Sequence, residues 1–304
     1  MKVLADPATT VGAVRTPATM DKNLGNARGA KNSPLSLLLM HGTIAIMSTR
    51  KEIWDTKRNA EVYNAYTQMF PMYRDTSKDL VTIANIKPGM IVIDLAAGTG
   101  TTTQAILRQA RGKIHIIAID QAEAMLEQAR VKFTNHKNIR FVVAEAEKLS
   151  EVIDKVKGVD AVVCNAAFWQ MRPKQVFKEV SKILKREGVF AFNLPDQFFN
   201  YQEFHRHTKN ALPYHFDDII AWGNEVGLTL THKSVKTYHK SAGEIIAFNQ
   251  IPVMEKNFST KEERDDFFAR LKQESEKQQR KQNQWLYLVF RKIKEGAIQD
   301  SPLV

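Results

Sequence analysis

The stretch VIDLAAGTGTTT, which begins at Val92, places an acid just before a turn that contains two glycines. Asp94 ends the apolar run, and Gly98 and Gly100 follow it. A glycine-rich turn between a strand and a helix lets a ligand approach the backbone closely and meet free N–H groups. A carboxylate beside the turn would repel a phosphate and attract a cation. We therefore expect a positively charged ligand at this turn.

Two phosphate-binding patterns can be compared with the same residues. A triphosphate loop needs lysine and then serine or threonine after its second glycine, but Gly100 is followed by Thr101 and Thr102. A dinucleotide site favours G-x-G-x-x-G, and the frame that starts at Gly98 ends in Thr103. The sequence therefore disfavours both a triphosphate site and a dinucleotide site at this turn.

Further acids stand where later strands should end. The apolar run KIHIIAID ends at Asp120, and VVAEAEKL contains Glu145. Taken alone, each acid could be a solvated strand-end residue, and Met125 could be an ordinary core residue. Nicotinamide enzymes also place an acid after their second strand, so Asp120 alone does not discriminate between cofactors.

Apolar strands alternate with amphipathic helices along most of the chain. This pattern predicts an α/β fold: a doubly wound, mostly parallel seven-stranded sheet with an antiparallel last strand and helices on both faces. Ligands bind such sheets beyond the carboxyl ends of the strands. The predicted helices are Glu52–Phe70, Ser77–Asn85, one that begins near Ala122, one from Pro173 to Gly188, Phe216–Val226, and a charged helix with a capping box at Ser259–Glu262.

In this order, the motifs resemble those of the class I S-adenosylmethionine-dependent methyltransferases, from about Trp54 to Lys292. VIDLAAGTG resembles the first motif, with Ala96 in place of the first glycine, a substitution we attribute to alanine's small size. The resemblance implies S-adenosylmethionine as cofactor. The cofactor-binding residues that it implies are Asp94, Ala96, Gly98, Thr99, Gly100, Asp120, Gln121, Met125, Glu145, Ala146 and Asn165.

The resemblance also implies a role for several of these residues. Asp94 would lie near the methionine amino group, and Gly98 and Gly100 would let the methionine and ribose parts approach. The two oxygens of Asp120 would accept the ribose hydroxyls. The remaining implied roles belong to Glu145 and the Ala146 backbone at the adenine amino group, Met125 on the adenine face, and Asn165 at the methionine end.

Acceptor contacts are expected from three segments. Tyr63 and Tyr66 lie on the first helix, although aromatic residues there could equally pack that helix onto the sheet. Phe168, Trp169 and Gln170 follow the fourth strand, and Phe199 and Tyr201 follow the fifth. His205, His207 and His215 are base candidates. No acid or cysteine set completes a metal site with these histidines, so no metal is predicted.

The activity implied is in-line methyl transfer to a small-molecule acceptor that is largely apolar or carboxylated. An RNA or protein methyltransferase, a nicotinamide-dependent oxidoreductase and a silent adenosyl-binding module remain open alternatives. Asn165 is followed by two alanines, without the prolines of amino-directed DNA methyltransferases. The net charge of +11 could attract nucleic acid, but basic runs are usually solvated helix ends. A nucleic-acid acceptor is therefore disfavoured.

Composition limits the setting of the protein. The single cysteine, Cys164, excludes a disulfide framework and favours a reducing compartment, so we expect a cytoplasmic protein. No apolar run is long enough to span a membrane. Residues 1–46, poor in acids, are expected to form a flexible extension, a targeting segment, or an upstream addition to a natural start at Met47. Residues 47–304 would form the methyltransferase domain, with a variable acceptor-side region at 196–284.

Overall fold

The computed structural model describes residues 54–153, 158–195, 214–276 and 281–293. Residues 1–46 and the predicted site residues Phe199, Tyr201, His205 and His207 lie outside these ranges. The strands are β1 (Ile91–Leu95), β2 (His115–Asp120), β3 (Ile139–Val143), β4 (Val159–Cys164), β5 (Leu184–Pro195), β6 (Leu228–Lys240) and β7 (Lys281–Lys292). The helices are α1 (Lys57–Met69), α2 (Met72–Ile83), α3 (Thr101–Gln109), α4 (Glu123–Lys132), α5 (Leu149–Val152), α6 (Pro173–Ile183), α7 (Phe216–Glu225), α8 (Ala242–Asn249) and α9 (Lys261–Glu276).

All seven strands form one sheet in the order β3-β2-β1-β4-β5-β7-β6. The first five strands pair in parallel, and β7 runs antiparallel to both β5 and β6. The predicted fold class is therefore confirmed. The strand order reverses between β1 and β4, which opens a crevice at their carboxyl ends.

Both faces of the sheet are covered, which explains the unbroken apolar runs in its strands. Ile93 and Val162 pack into one hydrophobic core with Phe177 of α6, while Val92 and Val163 pack into a second core on the opposite face. Successive residues of a strand point to opposite faces, so one short strand contributes to both cores. This packing fixes where each strand ends, and with it the position of the strand-end acids.

Two predicted helix boundaries are wrong. α2 begins at Met72, before the predicted Ser77, and α6 ends at Ile183 rather than at Gly188. Gly188 instead lies in β5, where the pairing with β4 is irregular. A Cβ atom on Gly188 would lie 2.8 Å from the Lys185 carbonyl oxygen. Close backbone packing inside the sheet therefore requires this glycine.

The β6–β7 hairpin carries an insertion whose first helix, α8, was not predicted. A 3₁₀ segment (Pro252–Asn257) and α9 follow α8. The cap of α9 lies one residue later than predicted: the Thr260 hydroxyl accepts from the Glu263 N–H at 3.1 Å. The Glu263 carboxylate accepts from the Ser259 N–H, one residue before the cap, at 2.7 Å. Among the helices of the described ranges, none has both the length and the apolar character needed to cross a membrane.

Candidate active site

The turn after β1 has the left-handed backbone that its glycines suggest. φ is 58° at Ala96, 54° at Gly98 and 84° at Gly100. A residue with a side chain is disfavoured in this conformation by about 1–2 kcal/mol. We attributed Ala96 to the small size of alanine, but size is not the deciding property. The backbone at this position is left-handed, so alanine is strained where glycine would be relaxed.

The two glycines of the turn serve different purposes. A Cβ atom on Gly100 would lie 2.5 Å from the ring of Phe133, just after α4, so this glycine lets the turn pack against that ring. A Cβ atom on Gly98 would have one neighbour within 4 Å among the described residues, Tyr63 Cε1 at 3.8 Å. The predicted close approach of a ligand therefore fits Gly98, while the role of Gly100 is to pack against protein.

Asp94 is buried and only half satisfied. Its Oδ2 accepts a hydrogen bond from the Thr103 hydroxyl at 2.6 Å, and its Oδ1 has no hydrogen-bond partner within the described ranges. Burial raises the pKa of this carboxyl to about 7, although the hydrogen bond from Thr103 opposes the rise. A buried acceptor without a donor is costly. A cationic donor from a ligand would satisfy the free oxygen.

Asp120, at the end of β2, accepts hydrogen bonds that hold the same turn in place. Its Oδ2 accepts from the Gly98 N–H at 2.8 Å, and its Oδ1 accepts from the Ala122 N–H at 2.9 Å. Burial raises the pKa of Asp120, and these backbone donors counteract the rise. Each carboxylate oxygen keeps a second lone pair. The carboxylate can therefore hold the turn and still accept from ribose hydroxyls, a role that stays a prediction.

Lys132, in the last turn of α4, is a site residue that the sequence analysis missed. Its ammonium donates to the carbonyl oxygen of Thr99 at 2.7 Å, and burial lowers its pKa. In the part of the chain that the structure describes, the buried Thr99 hydroxyl has no hydrogen-bond partner. A basic residue at a helix end is so common that its spacing gave no signal.

The predicted adenine-side residues lie between α1, α4 and the segment after β3. Met125 is buried and packs against Ala60 of α1, with Tyr63 adjoining. Gln121 is half-buried at the start of the α4 segment, and Ala146 is buried. The Glu145 carboxylate pairs with the Lys148 ammonium at 3.2 Å. Their assignment to adenine stays a prediction.

A chain of polar side chains links Asn165, after β4, to the glycine turn. The Asn165 amide donates to the Ser77 hydroxyl at 3.1 Å and accepts from the Asn193 amide at 2.7 Å. Ser77 in turn lies 3.0 Å from the hydroxyl of Thr102, in the first turn of α3. Asn165 therefore lies near the turn, and its role at the methionine end of the cofactor stays a prediction. Ser77 and Asn193 were not predicted.

Aromatic residues from α1, α2 and α8 meet above the turn. The ring centroid of Tyr66 lies 5.9 Å from that of Tyr73 and 5.5 Å from that of Phe248. The Tyr66 hydroxyl donates to the buried Glu244 carboxylate at 3.4 Å. Tyr63 stands between this group and the turn, 5.9 Å from Tyr73. Tyr63 and Tyr66 therefore both belong to this aromatic group, and their contact with an acceptor stays a prediction.

The residues after β4 have separate locations. Phe168 has no exposed surface, and its ring stacks 3.9 Å from that of Phe192. Phe168 is thus a core residue that does not reach an acceptor in this conformation, because a surrounding cluster of phenylalanines encloses it. Trp169 is half-buried, 5.8 Å from the ring of Trp285, and Gln170 is half-buried beside it.

His215 is the only predicted base candidate in the described ranges. It is exposed and occupies the N-cap position of α7, where its backbone N–H donates to the Asp218 carboxylate at 2.6 Å. This hydrogen bond explains its place at the start of the helix. Its role as a base stays a prediction.

Comparison with known proteins agrees with this geometry. A sequence profile described as a methyltransferase domain matches residues 86–286, which include the glycine turn, Asp120 and Asn165. The chain belongs to this methyltransferase family. Its mostly parallel sheet with the antiparallel β7 is the Rossmann-like methyltransferase fold.

The methyltransferase has relatives of several kinds. It is 30% identical over 111 residues to malonyl-[acyl-carrier protein] O-methyltransferase of Halalkalibacterium halodurans, a match that covers 36% of this chain and 41% of the relative. It is 34% identical over 105 residues to a probable S-adenosylmethionine-dependent methyltransferase of Saccharomyces cerevisiae, covering 33% of this chain and 34% of the relative. The chain therefore aligns with less than half of either relative.

A solved structure supports the same fold. A protein from Bacillus halodurans C-125, assigned as a methyltransferase, superimposes with a TM-score of 0.51 at 18% identity. The match covers 72% of this chain and 100% of that one. At this identity the likeness concerns the fold alone.

Proposed function

We propose that this methyltransferase moves the methyl group of S-adenosylmethionine to a small-molecule acceptor. The observation that carries the proposal is the buried Oδ1 of Asp94, which has no hydrogen-bond partner among the described residues and precedes the open backbone at Gly98. An ammonium donor would satisfy that oxygen, whereas a diphosphate would add like charge there. When bound, the cofactor would supply an activated methyl group on a positively charged sulfur.

The residues of the chain supply binding and alignment. Asp94 would hold the amino group of the cofactor, Asp120 the ribose hydroxyls, and the Gly98 backbone would leave room between them. In-line displacement requires the acceptor atom, the methyl carbon and the sulfur to be aligned, so much of the rate comes from fixed positions. Asn165 and the tyrosines above the turn border the space in which that alignment would occur.

The covered crevice favours a small acceptor over a nucleic acid. The 3₁₀ segment after α8 packs on α1, with the Val253 N–H donating to the Asn59 amide oxygen at 2.9 Å, and Tyr63 of α1 adjoins the glycine turn. Part of the basic surface is neutralised: the Lys182 ammonium pairs with Glu179 at 2.6 Å, and that of Lys185 pairs with Asp160 at 2.8 Å. Paired lysines contribute less to phosphate binding than free ones.

The test uses purified protein and S-adenosylmethionine labelled on its methyl group. Incubation with a fractionated small-molecule extract should label one compound, and heat-inactivated protein should label none. Calorimetry should show S-adenosylhomocysteine binding and no NADH binding. Label found only in RNA or protein would overturn the small-molecule proposal. NADH binding without S-adenosylhomocysteine binding would overturn methyl transfer itself, and cofactor binding without any labelled product would indicate a silent binding module.

A further inference from the structure

Glu244 is a buried carboxylate outside the cofactor half of the site. It belongs to the first turn of α8, where its N–H donates to the Ser241 hydroxyl at 3.1 Å. Its carboxylate accepts from the Tyr66 hydroxyl of α1 at 3.4 Å. Burial raises the pKa of Glu244, and the backbone N–H of Met72, the first residue of α2, lies near enough to oppose the rise. One side chain of the insertion therefore bonds α1 and adjoins the start of α2.

The contacts of Glu244 with α1 and the start of α2 position Tyr73. It follows Met72 directly, and its ring packs against those of Tyr63 and Tyr66. Residues four apart lie on the same face of a helix, so Tyr73 lies one turn above Ser77 on α2. Ser77 contacts Asn165, after β4, and Thr102, after the glycine turn. Tyr73 therefore lies one helical turn from the place where these two segments meet.

The Tyr73 hydroxyl is available to a ligand. Within the part of the chain that the structure describes, it has no hydrogen-bond partner, whereas the nearby Tyr66 hydroxyl has Glu244. Burial raises the pKa of Tyr73 well above its ordinary value of 10.0, with smaller contributions from Tyr63, Tyr66 and Glu244. The phenol therefore stays protonated at neutral pH and acts as a hydrogen-bond donor.

We propose that the Tyr73 hydroxyl contacts the acceptor, and that Glu244 is the positioning residue that holds Tyr73 through Tyr66 and the start of α2. This inference rests on the proposed methyl transfer. A neutral donor selects an acceptor with an oxygen or nitrogen lone pair beside the methylated atom. The surrounding rings select an otherwise apolar molecule. Tyr73 orients the acceptor and takes no proton from it.

The test compares Tyr73→Phe, Glu244→Ala and the double variant, with the labelled extract compound, once purified, as acceptor. Loss of one hydrogen bond to the acceptor should lower kcat/KM about tenfold in each single variant. If Glu244 acts through Tyr73, the double variant should be no worse than Tyr73→Phe by more than about twofold. The affinity for S-adenosylhomocysteine should change by less than about twofold in all three.

Two further variants separate positioning from folding. Glu244→Gln keeps an oxygen for Tyr66 and Met72, so it should recover most of the kcat/KM that Glu244→Ala loses. Tyr66→Phe removes only the hydroxyl that meets Glu244, and it provides the same non-additivity test if Glu244→Ala does not fold. Tyr238→Phe is the matched control: its hydroxyl bonds Asp79 at 2.5 Å, so it should lower stability without changing kcat/KM.

Several results would overturn the inference. Wild-type kcat/KM in Tyr73→Phe would remove the acceptor contact. Multiplicative losses in the double variant would show that Glu244 acts independently of Tyr73. If wild-type protein labels no compound while S-adenosylhomocysteine still binds, the proposed function fails first and this inference fails with it.

Discussion

Asp94→Asn should make the fold more stable at alkaline pH while it removes cofactor binding. Burial raises the pKa of Asp94 from its ordinary 3.8 to about 7, so the folded protein holds this proton more tightly than the unfolded chain does. The stability linked to that proton is complete below the unfolded pKa and is lost as the pH rises toward 7. Above pH 7, the buried charge costs about 4 kcal/mol, at about 1.4 kcal/mol per pKa unit.

Asparagine has the same shape and no charge, so it escapes this cost. It leaves a buried amide donor without a partner, which subtracts about 1–3 kcal/mol. The expected net gain near pH 8 is about 1–3 kcal/mol in the free energy of unfolding. Near pH 5 the folded carboxyl is protonated while the unfolded one is ionised, so taking up this proton on folding costs only about 2 kcal/mol. The gain should therefore fall by about 2–3 kcal/mol between the two conditions.

Urea unfolding of both proteins at the two pH values measures this difference, because the unpartnered amide contributes equally at each. Calorimetry near pH 8 should show S-adenosylhomocysteine binding to the wild type and none to Asp94→Asn. A stability difference that does not change with pH would refute the view that Asp94 is held as a costly buried charge. Unchanged binding would refute its role at the cofactor amino group.

The other predictions concern the same turn and the extension before it. Asp120→Ala should weaken S-adenosylhomocysteine binding by about 2–4 kcal/mol in calorimetry, because two charge-assisted hydrogen bonds are lost; an unchanged dissociation constant would contradict the ribose assignment. Gly98→Val should abolish that binding in a folded protein, whereas Gly100→Ala should lower the melting temperature because its Cβ would collide with Phe133 at 2.5 Å. If both variants behave alike, the division of roles between the glycines is wrong. Deleting residues 1–46 should leave methyl transfer unchanged, and an inactive deletion that still binds S-adenosylhomocysteine would assign the extension a part in the reaction.

Local patterns were sufficient to predict the strands and the acids at their ends. Asp94 and Asp120 each close an apolar run, and an apolar run in a parallel sheet ends where the chain reaches the edge of the core. The position of such an acid is therefore a property of a few neighbouring residues. The crevice between β1 and β4 follows from the alternation of strands and helices, which the sequence also displays.

Contacts between distant parts of the chain could not be read from the sequence. Lys132 bonds the Thr99 carbonyl, and Phe133 fills the space beside Gly100. Glu244 bonds Tyr66, which lies 178 residues earlier in the sequence. Each contact depends on how helices lie on the sheet, which periodicity does not specify. Phe168 illustrates the same limit, because an aromatic residue after a strand can face either a ligand or the core.

The β6–β7 hairpin has a consequence for how this methyltransferase could acquire new acceptors. Lys240 and Lys281 are direct partners across the two strands, so the chain leaves the sheet and returns to it at neighbouring points. The intervening residues can change in length or composition without disturbing the strand register, and a segment with closely spaced ends tolerates replacement. The residues proposed to hold the cofactor follow β1, β2 and β4, away from this hairpin, and would be inherited intact while the segment between β6 and β7 is exchanged.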